Sequence, residues 1–495
     1  MAVTLAQRSE PVPAEGRARS EGPPATSRPG EEPPPAEGQS QLVPATLTDH
    51  RPSTTTAGSI KLEKFVIEGG VPLAGTITAA GNKNGALPIL AACLLTGDEV
   101  TLRNVPQISD VEAMVRLLQV LGARVEWTGP SEVLVDSSTV DSTRVDRVLA
   151  ERIRASFLLA GPLLARFGSA YMPPPGGDVI GRRRLDPHLD AFRTLGATVE
   201  ERADEIVLTA PALGLSPCDF LMDEPSVMAT ENALMAAALT RGTTVIRNAA
   251  SEPHVQDLAR MLEQMGADID GIGSNVMTVH GQARLRGCTH TIAPDHIEIG
   301  SFMVLASVTG GELVVKDTRP DDLRMIRLVF ERLGLRSEVH GDDVIVPGNQ
   351  QLVVRNDHGD HMPKVEDGPW PAFPADLTSI ALALATQSSG SVMIHEKMFE
   401  NRLFFTDKLV GMGASITICD PHRAIVNGPR PLRGSRVESP DIRAGMAMLI
   451  AALCADGVTE IGNIRQIDRG YERIDERLRE LGARITRLED APVSA

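Results

Sequence analysis

One local pattern recurs six times along the chain, and it constrains the fold more than any other feature. Each copy has an amphipathic run whose apolar residues follow a 3.6-residue period, then a glycine, then a short β-branched or alternating run. A glycine in the left-handed conformation ends a helix, so each copy predicts a helix, a turn and a strand. The copies are VRLLQVLGARVEW, LDAFRTLGATVEE, ARMLEQMGADIDG, LVFERLGLRSEV, DKLVGMGASITI and ERLRELGARITR, with glycines Gly122, Gly196, Gly266, Gly334, Gly413 and Gly482.

A second pattern of helix, glycine and strand interleaves with the first. It also occurs six times, from LAACLLTGDEVTLRNV to LIAALCADGVTEIGNI, so each unit holds two helices and several strands. The unit length of roughly 70 residues is too long for the common solenoid repeats. Chance recurrence of a common local design is the alternative, and six paired recurrences at similar intervals argue against it. Alternating strands and helices therefore predict an α/β protein of six packed units.

The segments outside the repeats differ in composition. Stretches such as PPATSRPGEEPPPAEGQSQ lack an apolar period, so we expect residues 1–59 to form a disordered tail rich in Pro, Glu and Ser. This segment has no apolar core of a signal peptide. The folded part is expected to begin near Ile60, and residues 488–495 are expected to form a second tail.

Charge and hydropathy exclude some classes of function. The 49 basic and 65 acidic side chains give a net charge of −16, which is unsuited to general binding of nucleic acid or anionic membranes. No window of 18 or more consecutive apolar residues predicts a membrane-spanning helix. We therefore expect a cytoplasmic protein without membrane insertion. The sequence indicates no oligomeric state.

Cysteine and histidine spacing gives no sign of a metal site. The five cysteines contain no CxxC pair, so they are expected to be small buried side chains in a reducing cytosol. None of the eleven histidines lies in an HExxH motif or another metal-binding spacing. Four of them, His290, His296, His358 and His361, are expected at the surface. GxGxxG, GxxxxGK[ST] and GxSxG motifs are also absent from the sequence.

The stretch GNKNGALP, residues 81–88, is a candidate anion site. With Pro88 in the first turn of the following apolar helix, Lys83 and Asn84 lie at its N-terminus. Free backbone N–H groups, the helix dipole and the charge of Lys83 would favour an anion there. The alternative is a solvated lysine beside an asparagine cap.

A second candidate is the loop PPPGGDVIGRRR, residues 173–184. Three prolines followed by two glycines join a stiff stem to a hinge, as a mobile loop over a cleft requires. The loop presents the carboxylate of Asp178 and then three guanidinium groups, at residues 182–184, whose geometry suits phosphate or carboxylate. The alternative is an exposed charged turn.

Further charged residues are distributed over several repeats. Each lies near a predicted turn or element end, and each taken singly is more typical of a surface ion pair. Their spacing does not show whether they converge. They are Arg154, Asp376, Arg402, Asp441, Arg443 and Arg469.

Several motifs together identify a family. GNKNGALPIL, RASFLLAGPLLARFG, PGGDVIGRRRLDPH, ENALMAAAL, PWPAFPADL, FENRLF, PDIRAG and QIDRGYERI resemble those of the UDP-N-acetylglucosamine enolpyruvyl transferases, in order, from about residue 60 to about residue 487. The related shikimate-pathway transferase shares the repeat fold, but its PGSKS and GNAGT elements are absent from this sequence.

The resemblance implies an inside-out α/β barrel of six βαβαββ-like repeats in two domains. One domain would span residues 82–292 and carry the loop 173–184. The other would combine residues 60–81 with 293–487, so that the chain crosses twice between them. Substrates would lie in the cleft, and no metal or organic cofactor is implied.

The implied reaction moves the enolpyruvyl group of phosphoenolpyruvate to the 3′-hydroxyl of UDP-N-acetylglucosamine and releases phosphate. It proceeds through a tetrahedral ketal and is the first committed step of peptidoglycan synthesis. By motif position, the resemblance assigns catalysis to Asp178, Asp376 and Lys83. It assigns substrate binding to Lys83, Asn84, Arg154, Arg183, Asp376, Met398, Arg402, Asp441, Arg443 and Arg469, of which Lys83, Arg183 and Arg469 would hold phosphoenolpyruvate and Asp376 would accept the hydroxyl proton.

The sequence departs from the family pattern in its loops. Asp178 stands where most members carry a cysteine in PGGCxIG, as in a minority of the family. A carboxylic acid can deliver the same proton, but fosfomycin acts by alkylating the thiol, so the departure predicts insensitivity to it. Residues 182–188 and 224–228 also differ. The carboxylate of Glu224 would oppose a diphosphate, and the added arginines could compensate.

These loop differences leave two other hypotheses open. The first is an enolpyruvyl transferase that acts on another uridine nucleotide. The second is a ligand-binding sensor without activity, and retention of Lys83, Asp376 and Arg469 argues against it.

Overall fold

The computed structural model describes residues 63–178 and 180–489 of the 495-residue chain. The expected tail over residues 1–59 lies outside the described residues, as do residues 490–495 of the expected C-terminal tail. The last strand continues through Glu489, so it includes the first two residues that the sequence assigned to that tail. No helix of the described ranges is long and apolar enough to cross a membrane.

The predicted repeat is present as six helix–glycine–strand units. The six glycines that the sequence marked all have positive φ, between +93° and +109°, which is the left-handed geometry that side chains with a Cβ avoid. A strand follows each of these glycines within a few residues. The local pattern therefore predicted both the helix ends and the strands after them.

Short strands make up the β structure of the described residues. They are β1 (Glu63–Glu68), β2 (Gly75–Thr78), β3 (Val100–Arg103), β4 (Arg124–Gly129), β5 (Glu132–Asp136), β6 (Ser169–Met172), β7 (Thr198–Glu201), β8 (Ile206–Thr209), β9 (Asp219–Leu221), β10 (Gly242–Arg247), β11 (Asp268–Asp270), β12 (Val276–Gly281), β13 (Thr289–Thr291), β14 (Leu313–Lys316), β15 (Glu338–His340), β16 (Asp343–Val346), β17 (Lys364–Glu366), β18 (Gly390–His395), β19 (Ile416–Asp420), β20 (Arg423–Gly428), β21 (Arg436–Glu438), β22 (Val458–Gly462) and β23 (Arg484–Glu489).

Fourteen α-helices and five short 3₁₀ segments connect these strands within the described part of the chain. The α-helices are α1 (Lys83–Ala92), α2 (Ser109–Val120), α3 (Arg147–Ala150), α4 (Ala160–Phe167), α5 (Asp186–Thr194), α6 (Val227–Ala238), α7 (Pro253–Gln264), α8 (His296–Thr309), α9 (Arg324–Arg332), α10 (Thr378–Gln387), α11 (Thr406–Gly411), α12 (Ile442–Cys454), α13 (Arg465–Asp468) and α14 (Ile474–Glu480). The 3₁₀ segments are Cys93–Leu95, Arg154–Leu159, Pro320–Leu323, Ala375–Leu377 and Arg402–Phe405.

The strands form six small sheets, one for each repeat. Five have four strands, in the orders β21-β22-β1-β23, β11-β12-β10-β9, β13-β3-β5-β4, β15-β16-β14-β2 and β17-β18-β20-β19. Each of these contains one parallel pair beside antiparallel pairs, for example β13 with β3 and β3 with β5. The sixth, β6-β8-β7, has three strands, and a parallel bridge from Arg144 to Tyr171 stands in the place of the fourth.

Helices occupy the interior and sheets the outside. Residues 296–307 of α8 and residues 442–453 of α12 are all buried, as expected for helices that are apolar on every side. Strands such as β5 and β16 instead alternate buried and partly exposed residues, with one face on the core and one toward solvent. This arrangement is the inside-out α/β barrel that the sequence predicted.

The buried apolar side chains form two separate clusters. The first contains residues between Ala86 and Ile292, and the second combines Phe65–Ala79 with residues between Ile297 and Ile485. Residues 80–85 and 293–296 therefore join the two cores. Polar side chains at these junctions face both cores at once.

Candidate functional site

A cavity of about 520 Å³ opens between the two cores, within the size range of small-molecule sites. Side chains from both cores line it, including most of the residues that the sequence singled out. Those residues are Lys83, Asn84, Arg154, Asp178, Arg183, Asp376, Met398, Arg402, Arg443 and Arg469. The structure thus brings together residues that lie up to 386 positions apart in the chain, from Lys83 to Arg469.

The N-terminus of α1 fixes one wall of the cavity. Asn82 caps the helix by accepting the N–H of Gly85 at 2.9 Å, and its amide nitrogen lies 3.0 Å from His296 Nδ1. The backbone N–H of Lys83 donates to Asp295 Oδ2 at 3.1 Å. Because protein groups already bond these amides, anion binding here depends on the Lys83 side chain rather than on free backbone N–H groups.

Pro88 lies deeper in this helix than the sequence suggested. α1 begins at Lys83, so Pro88 is its sixth residue and not part of the first turn. The predicted position of Lys83 and Asn84 at the helix start is nevertheless correct, because Asn82 is the cap. The helix start is set by the cap and not by the proline.

Asp110, which the sequence analysis missed, links two cations of the site. Its carboxylate lies 3.0 Å from Lys83 Nζ and 2.9 Å from Arg469 Nε. Burial alone would raise the pKa of Asp110, but the charges of Lys83 and Arg469 lower it below its ordinary value. An ionised Asp110 therefore holds both cations in one place. The only sequence signal was an aspartate in the first turn of α2, which is also an ordinary helix-start residue.

The loop 173–184 lies against the cavity and bonds to both cores. The carboxylate of Asp178 pairs with Arg469, and Arg183 Nη2 donates to the carbonyl oxygen of Asp178 at 2.8 Å. The N–H of Arg182 donates to Glu400 Oε2 at 3.2 Å, and the N–H of Asn401 donates to Ile180 O at 3.0 Å. The loop is thus a cover over the cavity and not a simple exposed turn.

The arginines of the loop do not pair with the carboxylate of Asp178. Arg183 contacts only the backbone oxygen of Asp178, and the ion-pair partner of the carboxylate is Arg469. Arg184 Nη1 lies 2.8 Å from Asp223 and 3.5 Å from Glu224. The guanidinium groups of Arg183 and Arg184 therefore contact different partners.

Arg154 and Arg183 form an incompletely neutralised pair of cations. Arg154 Nη2 donates to the carbonyl oxygens of residues 183 and 184, and it pairs with no carboxylate among residues 63–178 and 180–489. Burial first, and then the charge of Arg183, lower the pKa of Arg154 to about 10. Two half-buried like charges in one wall favour an anionic ligand.

Asp376 is held by three side chains at the opposite wall. Its Oδ2 accepts from Arg443 Nε at 3.1 Å and Nη2 at 2.9 Å, and from Asn84 Nδ2 at 3.3 Å. Arg402 Nη2 donates to Oδ1 at 3.1 Å. Burial opposes ionisation, but the charges of Arg443 and Arg402 outweigh it and hold the pKa of Asp376 well below its ordinary value. Asp376 is therefore an ionised, fixed carboxylate.

Asp441 does not line the cavity, although the resemblance assigned it to substrate binding. It caps α12 by accepting the N–H groups of Arg443 at 2.8 Å and Ala444 at 2.9 Å. Its position behind Arg443 explains the difference, because the first residues of α12 separate it from the ligand space. Asp441 thus acts on the site by fixing the backbone of Arg443.

Two histidines expected at the surface are buried instead. His290 and His296 are each 4% exposed, whereas His358 and His361 are exposed as predicted. His296 lines the cavity and lies nearly parallel to His254, with the ring centroids 6.2 Å apart. It meets Trp370 edge-on at a centroid distance of 6.1 Å. Asn82 makes burial of His296 possible because it bonds the ring nitrogen, a pairing across 214 residues that no local pattern reveals.

Buried neutral groups complete the wall near α6 and α7. Burial raises the pKa of Glu231 well above its ordinary value, and it also raises the pKa of Glu252. His188 accepts the Asn232 amide at Nδ1, at 2.9 Å, and burial lowers its pKa to about 3. These groups line the cavity, and burial disfavours the charged form of each. None of them was assigned to the site from the sequence.

Comparison with known proteins identifies the family of this chain. The family model of EPSP synthase (3-phosphoshikimate 1-carboxyvinyltransferase) matches residues 67–478. A UDP-N-acetylglucosamine 1-carboxyvinyltransferase of Bradyrhizobium diazoefficiens is 55% identical over 86% of this chain and 98% of its own length. The chain belongs to the UDP-N-acetylglucosamine 1-carboxyvinyltransferase family. A member from Treponema denticola is 51% identical over 86% of this chain and 99% of its own.

Solved structures agree with this family fold. The enolpyruvyl transferase NikO from Streptomyces tendae has a TM-score of 0.78 and 25% identity, over 87% of this chain and 100% of its own. An EPSP synthase from Acinetobacter baumannii has a TM-score of 0.66 at 16% identity, over 86% of this chain and 100% of its own, which shows the fold alone.

The cysteines of this chain lie away from the cavity. None of the five lines it in the described ranges, and all five are free thiols. No group of three or more His, Cys, Asp or Glu side chains in those ranges is arranged to hold a metal ion. The charged groups of the cavity are therefore lysine, arginine, aspartate and glutamate side chains.

Proposed function

We propose that the protein transfers the enolpyruvyl group of phosphoenolpyruvate to the 3′-hydroxyl of UDP-N-acetylglucosamine and releases phosphate. The observation that carries this proposal is the convergence of two charged clusters in one cavity. Lys83 and Arg469 meet at Asp110 on one side, where Arg469 also pairs with Asp178, and Asp376 is fixed on the other. The names of relatives at 51–55% identity support the same reaction.

The donor half of the reaction needs cations and a proton source. Lys83, Arg183 and Arg469 would bind the phosphate and carboxylate of phosphoenolpyruvate, since guanidinium and ammonium groups stabilise such anions. Asp178 contacts Arg469, so a substrate bound to Arg469 lies next to its carboxyl group. A protonated Asp178 would give its proton to the methylene carbon, which leaves C2 open to attack.

The acceptor half needs a group that orients the hydroxyl and takes its proton. Asp376 is ionised and faces the cavity, so it can accept the hydrogen bond of the 3′-hydroxyl. As the hydroxyl oxygen bonds to C2, its proton passes to Asp376. The carboxylate of Asp178 then takes a proton back from the new methyl group while the bond between C2 and the phosphate oxygen breaks. The new enol ether forms, and the departing phosphate takes up the proton that the hydroxyl lost.

The two arginines of the outer wall suit the nucleotide. Arg154 and Arg183 lie side by side without complete neutralisation, as a diphosphate site requires. Arg184 pairs with Glu224 and Asp223 and offsets the carboxylates that would repel the diphosphate. Asn84, Met398, Arg402 and Arg443 would complete the acceptor site, with Asp441 acting through Arg443.

The proposal also covers the division into domains and the cellular location of the protein. The two separate apolar clusters support a division into residues 82–292 and residues 60–81 with 293–487 that close on the substrates. Its product enters peptidoglycan synthesis, whose first committed step draws on cytoplasmic substrates, so we place the protein in the cytoplasm. The free thiols fit a reducing compartment.

Phosphate release from phosphoenolpyruvate by purified protein tests the proposal. We expect phosphate release to require UDP-N-acetylglucosamine between pH 5 and pH 9. Its rate should depend hyperbolically on the concentration of the UDP-sugar. UMP serves as the control acceptor, and it should give no release. Release with UMP but not with the UDP-sugar would reassign the acceptor, and no release with either in folded protein would contradict the activity.

A further inference from the structure

Two buried carboxyl groups lie behind the cavity wall and have no part in the proposed reaction. Asp367 and Glu396 are 1% and 0% exposed. They follow β17 and β18, two parallel strands in which Glu366 pairs with His395, so the residues after that pair are neighbours at one sheet edge. The fold therefore forces two acidic side chains into the same dry space.

The hydrogen bonds of this pair leave one oxygen of each carboxyl group without a partner. Asp367 Oδ1 accepts the N–H of Lys397 at 2.5 Å, and Glu396 Oε1 accepts the N–H of Phe399 at 3.2 Å. Asp367 Oδ2 and Glu396 Oε2 are buried and accept no hydrogen bond. Two adjacent buried carboxylates cannot both be ionised without a large cost, so the pair must hold a proton.

The surroundings place that proton on Glu396. Burial is the largest cause, and together with the nearby Asp367 it raises the pKa of Glu396 to about 9 against the charge of Arg402. Near neutral pH Glu396 is thus an uncharged acid that can donate to Asp367.

Arg402 connects this pair to the site. Its Nη2 donates to Asp376 at 3.1 Å, while its Nε has no hydrogen-bond partner and lies 3.9 Å from Glu396 Oε2. Arg402 is 3% exposed, so water cannot replace either contact. When Glu396 is neutral, the guanidinium group of Arg402 pairs with Asp376 alone. An ionised Glu396 would compete with Asp376 for that guanidinium group.

We propose that Glu396 and Asp367 are positioning residues whose shared proton keeps Arg402 directed at Asp376, and that its loss weakens binding of the acceptor. The proposal rests on the proposed function for the identity of that acceptor. Other titratable or charged groups around the pair lie on β17 and β18, in the loop after β18, and in the hairpin of β19 and β20. They are Glu366, His395, Lys397, and His422, whose Nδ1 lies 2.8 Å from the backbone oxygen of Glu396.

Thermal unfolding of the full chain without ligand tests the shared proton. Glu396→Gln keeps the shape of the side chain and removes its ionisation. The wild type loses stability as pH rises from the ordinary pKa of glutamate toward about 9, and the variant does not. The Tm of the variant relative to the wild type should therefore rise by about 5 °C between pH 5 and pH 9. A difference that stays constant with pH would overturn the proposal.

Glu366→Gln is the matched control for this series. Glu366 lies one residue before Asp367 but is only half-buried and is paired with Lys364 at 2.7 Å. Its Tm difference from the wild type should stay flat between pH 5 and pH 9. A slope equal to that of Glu396→Gln would mean that the effect is not specific to the buried pair.

Calorimetric titration with UDP-N-acetylglucosamine then tests the link to Arg402. We expect the Kd of the wild type to increase about tenfold more than that of Glu396→Gln between pH 7.5 and pH 10. Uracil ionisation affects both proteins alike and cancels in the comparison. Asp367→Asn should weaken binding already near pH 8, because Glu396 loses the neighbouring charge that retains its proton.

The outcomes of the two experiments separate the two proposals. Parallel pH profiles for wild type and Glu396→Gln would overturn the positioning role. Absence of binding by the wild type at pH 7.5 would contradict the proposed function, and the unfolding series would still decide whether the buried pair holds a proton.

Discussion

Asp178 and Arg469 meet in the cavity although 291 positions separate them in the chain. Because Arg469 also bonds to Asp110, its guanidinium is fixed before any ligand arrives. The carboxyl group of Asp178 is thereby placed beside a preset cation. This contact is the structural reason to assign proton delivery to Asp178.

Replacement of Asp178 by asparagine tests that role. Asp178→Asn retains a polar side chain of similar size but cannot donate an acidic proton, so we expect turnover to fall about 100-fold or more. Steady-state phosphate release measures the change. Asp186→Asn, an exposed aspartate 3.4 Å from Arg184, should retain turnover. Equal turnover in wild type and Asp178→Asn would exclude Asp178 as the acid.

At this scale the sequence identified some residues and not others for physical reasons. Lys83 and Asn84 are visible because glycines and a capping asparagine announce a helix start. Asp110 is invisible because its partners, Lys83 and Arg469, come from distant parts of the chain. The same reason explains why His296 appeared to be a surface residue. Pairings across hundreds of residues leave no local pattern.

The N-terminus of α1 shows how one short element organises the site. Asn82 bonds to His296, Lys83 to Asp110 and Asn84 to Asp376. Gly85 lies against His254, and a Cβ at this glycine would sit 3.5 Å from the Cβ of that histidine. Four successive residues therefore contact four different parts of the cavity wall.

Loss of the Asn82 cap should disturb both stability and substrate binding. Asn82→Ala removes the bond to the Gly85 N–H and the bond to His296, so we expect the free energy of unfolding to fall by about 2 kcal/mol. The KM for phosphoenolpyruvate should increase several-fold because Lys83 follows the cap. Urea unfolding measures the free energy of unfolding, and steady-state kinetics measure the KM for phosphoenolpyruvate.

Asp146→Ala provides the comparison for this element. Asp146 caps α3 through the N–H of Leu149 at 2.8 Å, and it does not line the cavity. This variant should lose about 1 kcal/mol of stability and keep its KM. A KM change of similar size in both variants would show that kinetics merely follow stability.

The loop 173–184 should be resistant to thiol alkylation. It carries the carboxyl group of Asp178 in the place of a thiol, and no cysteine of the described residues lines the cavity. We therefore expect no covalent adduct in the intact mass after incubation with fosfomycin and UDP-N-acetylglucosamine. Asp178→Cys places a thiol at the same position and should gain one adduct. An adduct on the wild type would contradict the expectation.

The elements themselves were predictable because their signals are local. A period of 3.6 followed by glycine at positive φ marked each helix end, and the β-branched residues after it marked each strand. The exact start of α1 relative to Pro88 was not predictable, because an asparagine cap and a hydrogen bond to Asp295 determine it. The division of apolar side chains into two cores was implied by the family resemblance alone.

At the scale of the whole molecule, three histidines of the described residues are buried in the neutral form. Burial lowers the pKa of His188 and His254 to about 3 and that of His296 to about 4. The unfolded chain binds protons at these groups near pH 6.5. Their stabilising contribution is therefore complete above that pH and is lost as pH falls toward 4. Glu231 and Glu252 act in the opposite direction, so single variants are needed to separate the effects.

Comparison of His188→Gln with the wild type isolates one of these histidines. The wild type should lose stability relative to this variant at up to about 1.4 kcal/mol per pH unit between pH 6 and pH 4. Urea unfolding at several pH values gives the slope. His361→Gln, at an exposed position, should show no such slope. A pH-independent difference for His188→Gln would mean that this histidine takes up its proton without unfolding.

The strand order of one sheet has a consequence for how the chain is made. β1, the first strand described, lies between β22 and β23, the last two, and pairs with both in antiparallel register. On the ribosome, residues 86–292 emerge as a complete apolar core while β1 still has two open edges. Those edges stay unpaired until synthesis reaches residue 489, and unpaired strands are prone to association with other chains. A nascent chain stalled before β22 is thus a half-folded molecule with an exposed strand, and its protection falls to chaperones rather than to its own fold.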